Sequence, residues 1–128
     1  MSISIDVSCG ELIDKITILE IKAARVVDPA KLKNIRHELQ LLTLARESQI
    51  RPSVTVDELT RQLRTVNEIL WDVEDRIRDK ERHLIFDAEF TKLARSVYQT
   101  NDRRAELKRE LNDLLGSSIT EEKTYQPY

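Results

Sequence analysis

Apolar side chains recur at alternating spacings of three and four residues through the segment from residue 56 to residue 77. The side chains of this seam are Val56, Leu59, Leu63, Val66, Leu70, Val73 and Ile77. That spacing places all of them on one face of an α-helix, and its extent of about three heptads is typical of coiled-coil packing. Because such a stripe has to be buried against other helices, it favours an all-α bundle.

Local signals mark where the predicted helices begin and end. Hydroxyl or carboxylate side chains stand at N-cap positions, where they accept hydrogen bonds from free backbone N–H groups, and a glycine stands at a helix stop. These signals are Ser8 to Glu11 and Thr55 to Glu58, both with capping-box spacing, Asp28-Pro29, Asp87 and Gly116. We predict helices at about 9–26, 29–47, 56–83 and 88–115, arranged as two antiparallel hairpins in a four-helix bundle.

A single helical domain is expected to span the chain, because 128 residues suffice for one hydrophobic core but not for two. It comprises an arm at residues 1–8, the bundle at residues 9–115 and a tail at residues 116–128. Residues 2–7 alternate polar and apolar side chains, which predicts a short strand or an extended arm. The tail is expected to fray unless it docks on the bundle or on a partner.

The first predicted helix is apolar almost all round. Such a helix is either surrounded by other helices or held between two subunits. We expect the second arrangement to contribute, in a homodimer. Its polar side chains, which include Asp14, Thr17 and Glu20, would lie close to other helices in either case. Some of them should need hydrogen-bond partners, because an unpartnered polar group is costly to bury.

Composition excludes several classes of protein. Lysine and arginine number 21 against 23 acidic residues, a net charge of −2, so no basic excess favours nucleic acid as a partner. A lone Cys9 excludes an internal disulfide, and with only His37 and His83 beside it argues against zinc, so no metal or cofactor is expected. The chain has no apolar run of about 20 residues and no secretory signal at its start, which predicts a cytoplasmic protein without a membrane span.

The fourth predicted helix has an apolar seam with a polar interruption. Phe90, Leu93 and Val97 precede the interruption, and Leu107, Leu111 and Leu114 follow it. The same rhythm places Thr100 and Arg104 on the seam, with Asn101 and Lys108 beside them. Polar side chains inside an apolar stripe indicate either a buried polar layer or a binding site.

The third predicted helix offers groups that could face this interruption. It carries a second stripe beside its seam: Asn67, Trp71, Glu74, Arg78 and Glu81. If the third and fourth helices are antiparallel, Glu74, Asp75 and Arg78 would lie opposite Asn101, Arg104 and Lys108. One interpretation is a charged layer that fixes helix register. The other is an anion-binding pocket, with Arg104 and Lys108 holding a carboxylate or phosphate and Asn101 orienting it.

Several blocks resemble an uncharacterised family of small all-helical bacterial proteins, a domain of unknown function. They are GELIDKITILEIK (10–22), LWDVEDRIRDKE (70–81), VYQTNDRRAELKRELN (97–112) and EEKTY (121–125). Thr124 is a departure, since the resemblance implies Ser there. The resemblance implies a link to surface-polysaccharide and lipopolysaccharide gene neighbourhoods, but no activity, cofactor or catalytic residue.

Three functional hypotheses follow. The first is a non-catalytic protein that binds a partner protein or an anionic small molecule at the charged layer between the third and fourth helices. The predicted ligand-binding residues are Glu74, Asp75, Arg78, Asn101, Arg104 and Lys108. The alternative is a small enzyme that acts on a sugar- or carboxylate-containing metabolite with the same residues. A purely structural assembly subunit is the third, since it needs only the seams.

Overall fold

A computed structural model describes all 128 residues and contains four helices and no strand. The helices are α1 (Cys9–Arg25), α2 (Pro29–Gln49), α3 (Val54–Arg82) and α4 (Ala88–Leu115). The predicted all-α class is confirmed, and the helix packing is that of a bundle. Each helix end lies within two residues of its predicted position.

Most of the predicted helix ends have the expected caps. The side chains of Ser8, Asp28 and Asp87 each accept a backbone hydrogen bond at an N-cap, and Gly116 ends α4 with φ 62°. The predicted cap of α3 at Thr55 is wrong. The Ser53 hydroxyl accepts from the backbone N–H of Val56 at 3.1 Å, so the helix begins at Val54. Two hydroxyls lie close together here, and the earlier one is the one that reaches a free N–H group.

α1 is the central helix. It packs against α2, α3 and α4, whereas α2 packs against α1 alone. Lys15 pairs with Glu38 at 3.0 Å across the first hairpin, and Lys80 pairs with Asp87 at 3.1 Å beside the turn of the second. Of the two alternatives for α1, burial among other helices of its own chain is therefore the one observed. The homodimer stays a prediction.

The hydrophobic core lies between α1, α3 and α4. Ile13, Leu63, Leu107 and Leu111 are fully buried there. α2 contributes no buried side chain, and Leu41 and Leu44 on it are more than half exposed. Buried polar side chains lie where α1, α3 and α4 pack together: Asp14, Thr17, Asn67, Lys108 and Asn112.

The two ends of the chain differ. Residues 1–7 are exposed and form no strand, so the first of the two predicted alternatives is not observed. Residues 117–128 return along α4 and make several polar contacts with it, so the tail docks on the bundle. None of the four helices combines the length and apolar character needed to cross a membrane.

Candidate functional site

The site begins where α1 and α4 come into backbone contact. The N–H group of Gly10 donates to Asn112 Oδ1 at 2.6 Å. A Cβ atom on Gly10 would lie 2.5 Å from the carbonyl oxygen of Lys108, so only glycine allows this approach. The helices run antiparallel here, so residues that follow Gly10 on α1 meet residues that precede Asn112 on α4. Glu11 lies near Lys108, and Asp14 lies near Arg104.

Asp14 is the centre of a buried polar network. Its side chain is 1% exposed, and Arg104 donates to both of its carboxylate oxygens, from Nε to Oδ1 at 2.9 Å and from Nη2 to Oδ2 at 2.5 Å. Asn67 Nδ2 donates to Asp14 Oδ1 and to Thr17 Oγ1, each at 2.9 Å. No buried side-chain polar atom lacks a partner. A bidentate pair with full hydrogen bonding is the arrangement in which a buried carboxylate is tolerated.

The guanidinium of Arg104 is held charged by this contact. Its hydrogen bonds to Asp14 raise its pKa above the ordinary arginine value, although burial acts in the opposite direction. Arg104 keeps further N–H donors that Asp14 does not use, and its side chain is 29% exposed. It therefore fixes the helix pair on one side and faces solvent on the other.

Lys108 lies one turn from Arg104 and holds two carboxylates. Its ammonium donates to Glu11 Oε2 at 2.7 Å and to Glu121 Oε2 at 2.6 Å, and its side chain is only 10% exposed. Burial lowers the pKa of Lys108, but the hydrogen bonds to Glu11 and Glu121 outweigh it, so the pKa lies above the ordinary value. Glu11 belongs to α1 and Glu121 to the tail, so this one ammonium links three parts of the chain.

The raised pKa of Lys108 predicts a pH dependence of stability. Since the folded state holds the proton more tightly than the unfolded chain, the stabilisation is complete below the ordinary lysine value of 10.5 and is lost as the pH rises through the higher folded-state value. The difference in free energy of unfolding between wild type and Lys108→Met should therefore be constant from about pH 7 to about pH 9 and shrink above about pH 10.5. Urea denaturation across this range measures it. Lys33→Met, on the exposed part of α2, is the control and should show no such change.

The structure assigns the predicted ligand-binding residues to different places. Arg104, Lys108 and Asn101 line one cavity on α4. Glu74 and Asp75 line another, of about 320 Å³, whose wall Arg104 shares. Arg78 is exposed and pairs with Glu74 at 3.4 Å.

Glu74 and Asp75 share a cavity wall with Arg104, but no ion pair joins them or Arg78 to Arg104 or Lys108, so the predicted arrangement is not the one that holds these cations. The carboxylates that meet Arg104 and Lys108 come from α1 and the tail instead. The backbone contact between Gly10 and Lys108 brings α1 against this part of α4, which places Glu11 and Asp14 beside the two cations.

A basic groove runs between α4 and the tail. We define it by Asn101, Arg104, Lys108, Arg109, Asn112 and Lys123, which line a cavity of about 480 Å³ together with residues of the segment 121–125. Arg109 pairs with Glu122 at 3.2 Å, and Lys123 pairs with Asp102. The groove is therefore walled on one side by a helix of the bundle and on the other by an exposed segment that ion pairs hold in place.

Comparison with family models shows which protein family the chain belongs to. Residues 3–128 match a family of unknown function, DUF6165. The chain belongs to that family. The predicted membership of a domain of unknown function is thus confirmed, and it covers nearly the whole chain. Comparisons with curated proteins and with solved structures gave no match.

The sequence predicts the cations of the site, Arg104 and Lys108, but not the residues that pair with them. The network depends on Asp14, Asn67, Glu11 and Glu121, none of which was predicted to bind there. A usable signal existed for the first two, because Asp14 interrupts an apolar helix and Asn67 begins the second stripe of α3. Glu121 lies in one of the blocks that carry the family resemblance, but nothing local indicates where a tail folds back. No group of three or more His, Cys, Asp or Glu side chains is placed to hold a metal ion.

Proposed function

We propose that this protein is a non-catalytic binding protein for an anionic small molecule, which it holds in the basic groove. The observation that carries the proposal is the contact between Lys108 and Glu121. Lys108, whose side chain is 10% exposed, donates at 2.6 Å to the carboxylate of Glu121, which belongs to the tail and whose side chain is 62% exposed. A carboxylate or phosphate oxygen of a ligand would fit the same position.

The surrounding charges suit such an exchange. Asp14 and Glu11 of α1 already pair with Arg104 and Lys108. An anion that replaces Glu121 therefore meets two cations whose charges are balanced by these two carboxylates. Lys123 and the unused N–H donors of Arg104 line the same groove. Arginine and lysine together offer both directional and point-charge contacts to a phosphate or carboxylate.

Binding without catalysis is favoured by the residue types of the groove. Its lining contains neither cysteine nor histidine. Its two carboxylates, Glu121 and Glu122, are each engaged by a cation. The groove therefore offers no cysteine–histidine or serine–histidine pair to activate a nucleophile, which supports a binding role over the small-enzyme alternative.

A thermal-shift screen tests the proposal. The panel contains phosphorylated sugars, nucleotides, nucleotide sugars and dicarboxylates, each at concentrations up to the millimolar range. A ligand that binds only the folded state should raise the unfolding midpoint by roughly 5 °C or more when it is well above its Kd. Glu121→Gln should bind the same ligand more tightly because the internal competitor has lost its charge, and Lys108→Met should lose the shift.

Matched controls separate the groove from general charge effects. Lys33→Met removes a lysine from the exposed face of α2 and should leave the ligand-induced shift unchanged. Equal shifts in wild type and Lys108→Met would place the ligand elsewhere. No shift with any anion, together with tight capture of a protein partner, would overturn the proposal. Turnover of a panel compound, followed by ³¹P NMR, would support the enzyme instead.

A further inference from the structure

A second cavity, of about 1000 Å³, lies against the basic groove. It is formed between α4 and the last residues of the tail, and tyrosine rings line it: Tyr98 on the helix and Tyr125 and Tyr128 on the tail. The rings of Tyr98 and Tyr128 meet edge to face with centroids 4.7 Å apart. The Tyr128 hydroxyl donates to Asp102 Oδ2 at 2.5 Å. We call this space the aromatic cavity.

The aromatic cavity and the basic groove share walls. Asn101, Lys123 and Tyr125 line both of them. The tail segment that supplies Glu121 to Lys108 thus passes between a cationic compartment and an aromatic one. If the anionic group of a ligand replaces Glu121, the other groups of that ligand can enter the aromatic cavity.

We infer that the ligand is a phosphate-bearing aromatic ring compound, of the chemical class of a nucleoside monophosphate. This rests on the proposed function, since the phosphate takes the position at Lys108. The aromatic ring lies against Tyr98 and Tyr128, where stacking on a tyrosine face contributes to affinity. Asp102 and Gln126 line the same cavity and accept hydrogen bonds from amino or hydroxyl groups.

The exposure of the tyrosines supports an aromatic ligand. Tyr128 is 76% exposed and Tyr125 is 85% exposed, so two large rings stand beside a cavity with most of their surface in water. A flat ring placed beside them in the cavity removes apolar surface from water. An anion that lacks a ring would use the groove and leave this surface exposed.

Isothermal titration of the full chain tests the inference with three probes. Adenosine 5′-monophosphate carries both groups, ribose 5-phosphate lacks the base, and adenosine lacks the phosphate. We expect adenosine 5′-monophosphate to bind about tenfold more tightly than ribose 5-phosphate, and adenosine to bind the most weakly. Tyr98→Leu and, separately, Tyr128→Leu should remove that tenfold preference while ribose 5-phosphate binds as before.

The controls keep the outcomes distinct. Phe86→Leu removes an exposed aromatic ring outside the cavity and should leave the preference intact. Because Tyr128 lies on the tail, its replacement tests the cavity even if Tyr98→Leu lowers the stability of α4. Equal binding of the two phosphates, or a preference that survives both tyrosine variants, would overturn the inference and leave the proposed function standing. Absence of binding by all anions would overturn both.

Discussion

Arg104→Leu should lower the free energy of unfolding by about 3 kcal/mol. Asp14 is 1% exposed and receives two hydrogen bonds from Arg104. Leucine would fill part of the space but would leave a buried carboxylate with Asn67 as its remaining side-chain donor. Urea denaturation of wild type and variant measures the difference, and Arg36→Leu, on the exposed surface of α2, is the control.

A double variant tests the cause of that loss. Replacing Asp14 by leucine as well removes the unpaired charge, and apolar replacement of a whole buried ion pair is often neutral or stabilising. Asn67 keeps its hydrogen bond to Thr17 in the double variant. We therefore expect the double variant to recover at least half of the loss. An Arg104→Leu variant as stable as wild type would contradict the buried pair.

Gly10→Ala should also cost about 3 kcal/mol, although alanine is the better helix former. Its Cβ would lie 2.5 Å from the carbonyl oxygen and 3.0 Å from the Cα atom of Lys108, both of which are backbone atoms of α4. Since neither atom belongs to a flexible side chain, the two helices have to separate. Their separation would lengthen the hydrogen bond from Gly10 to Asn112 and the ion pair from Lys108 to Glu11.

The second glycine of the chain is the matched control. A Cβ on Gly116 meets nothing within 4 Å, but the residue has φ 62°. Gly116→Ala should therefore cost only about 1 kcal/mol, from backbone strain alone. Chemical denaturation compares the two variants. If Gly10→Ala lowers stability no more than Gly116→Ala does, α1 and α4 do not approach as closely as described.

The helices could be predicted from the sequence because their causes are local. The seam of α3 and the caps at Ser8, Asp28 and Asp87 depend on residues within a few positions of each other. The incorrect cap at Thr55 shows the limit of such rules, since two hydroxyls two residues apart satisfy the same pattern and only the backbone path selects Ser53. Arg104 was likewise predicted to interrupt an apolar face, and it does.

The partners of the site could not be predicted in the same way. Glu74, Asp75 and Arg78 have the right charges to face Arg104 and Lys108, and periodicity places them on a plausible flank of α3. Periodicity gives the face of a helix but not its axial position against a neighbour. Nor does it say which neighbouring helix supplies the partners, and here α1 and the tail supply them.

The sequence alone thus determined four helices, most of their caps and the presence of cations on the inner face of α4. Only the tertiary structure decided that Asp14 and Glu11 meet these cations and that Glu121 returns from the tail to Lys108. Helix formation depends on spacings of three and four residues along the chain. The site depends on contacts between residues 13 to 97 positions apart, which exist only when the bundle has packed.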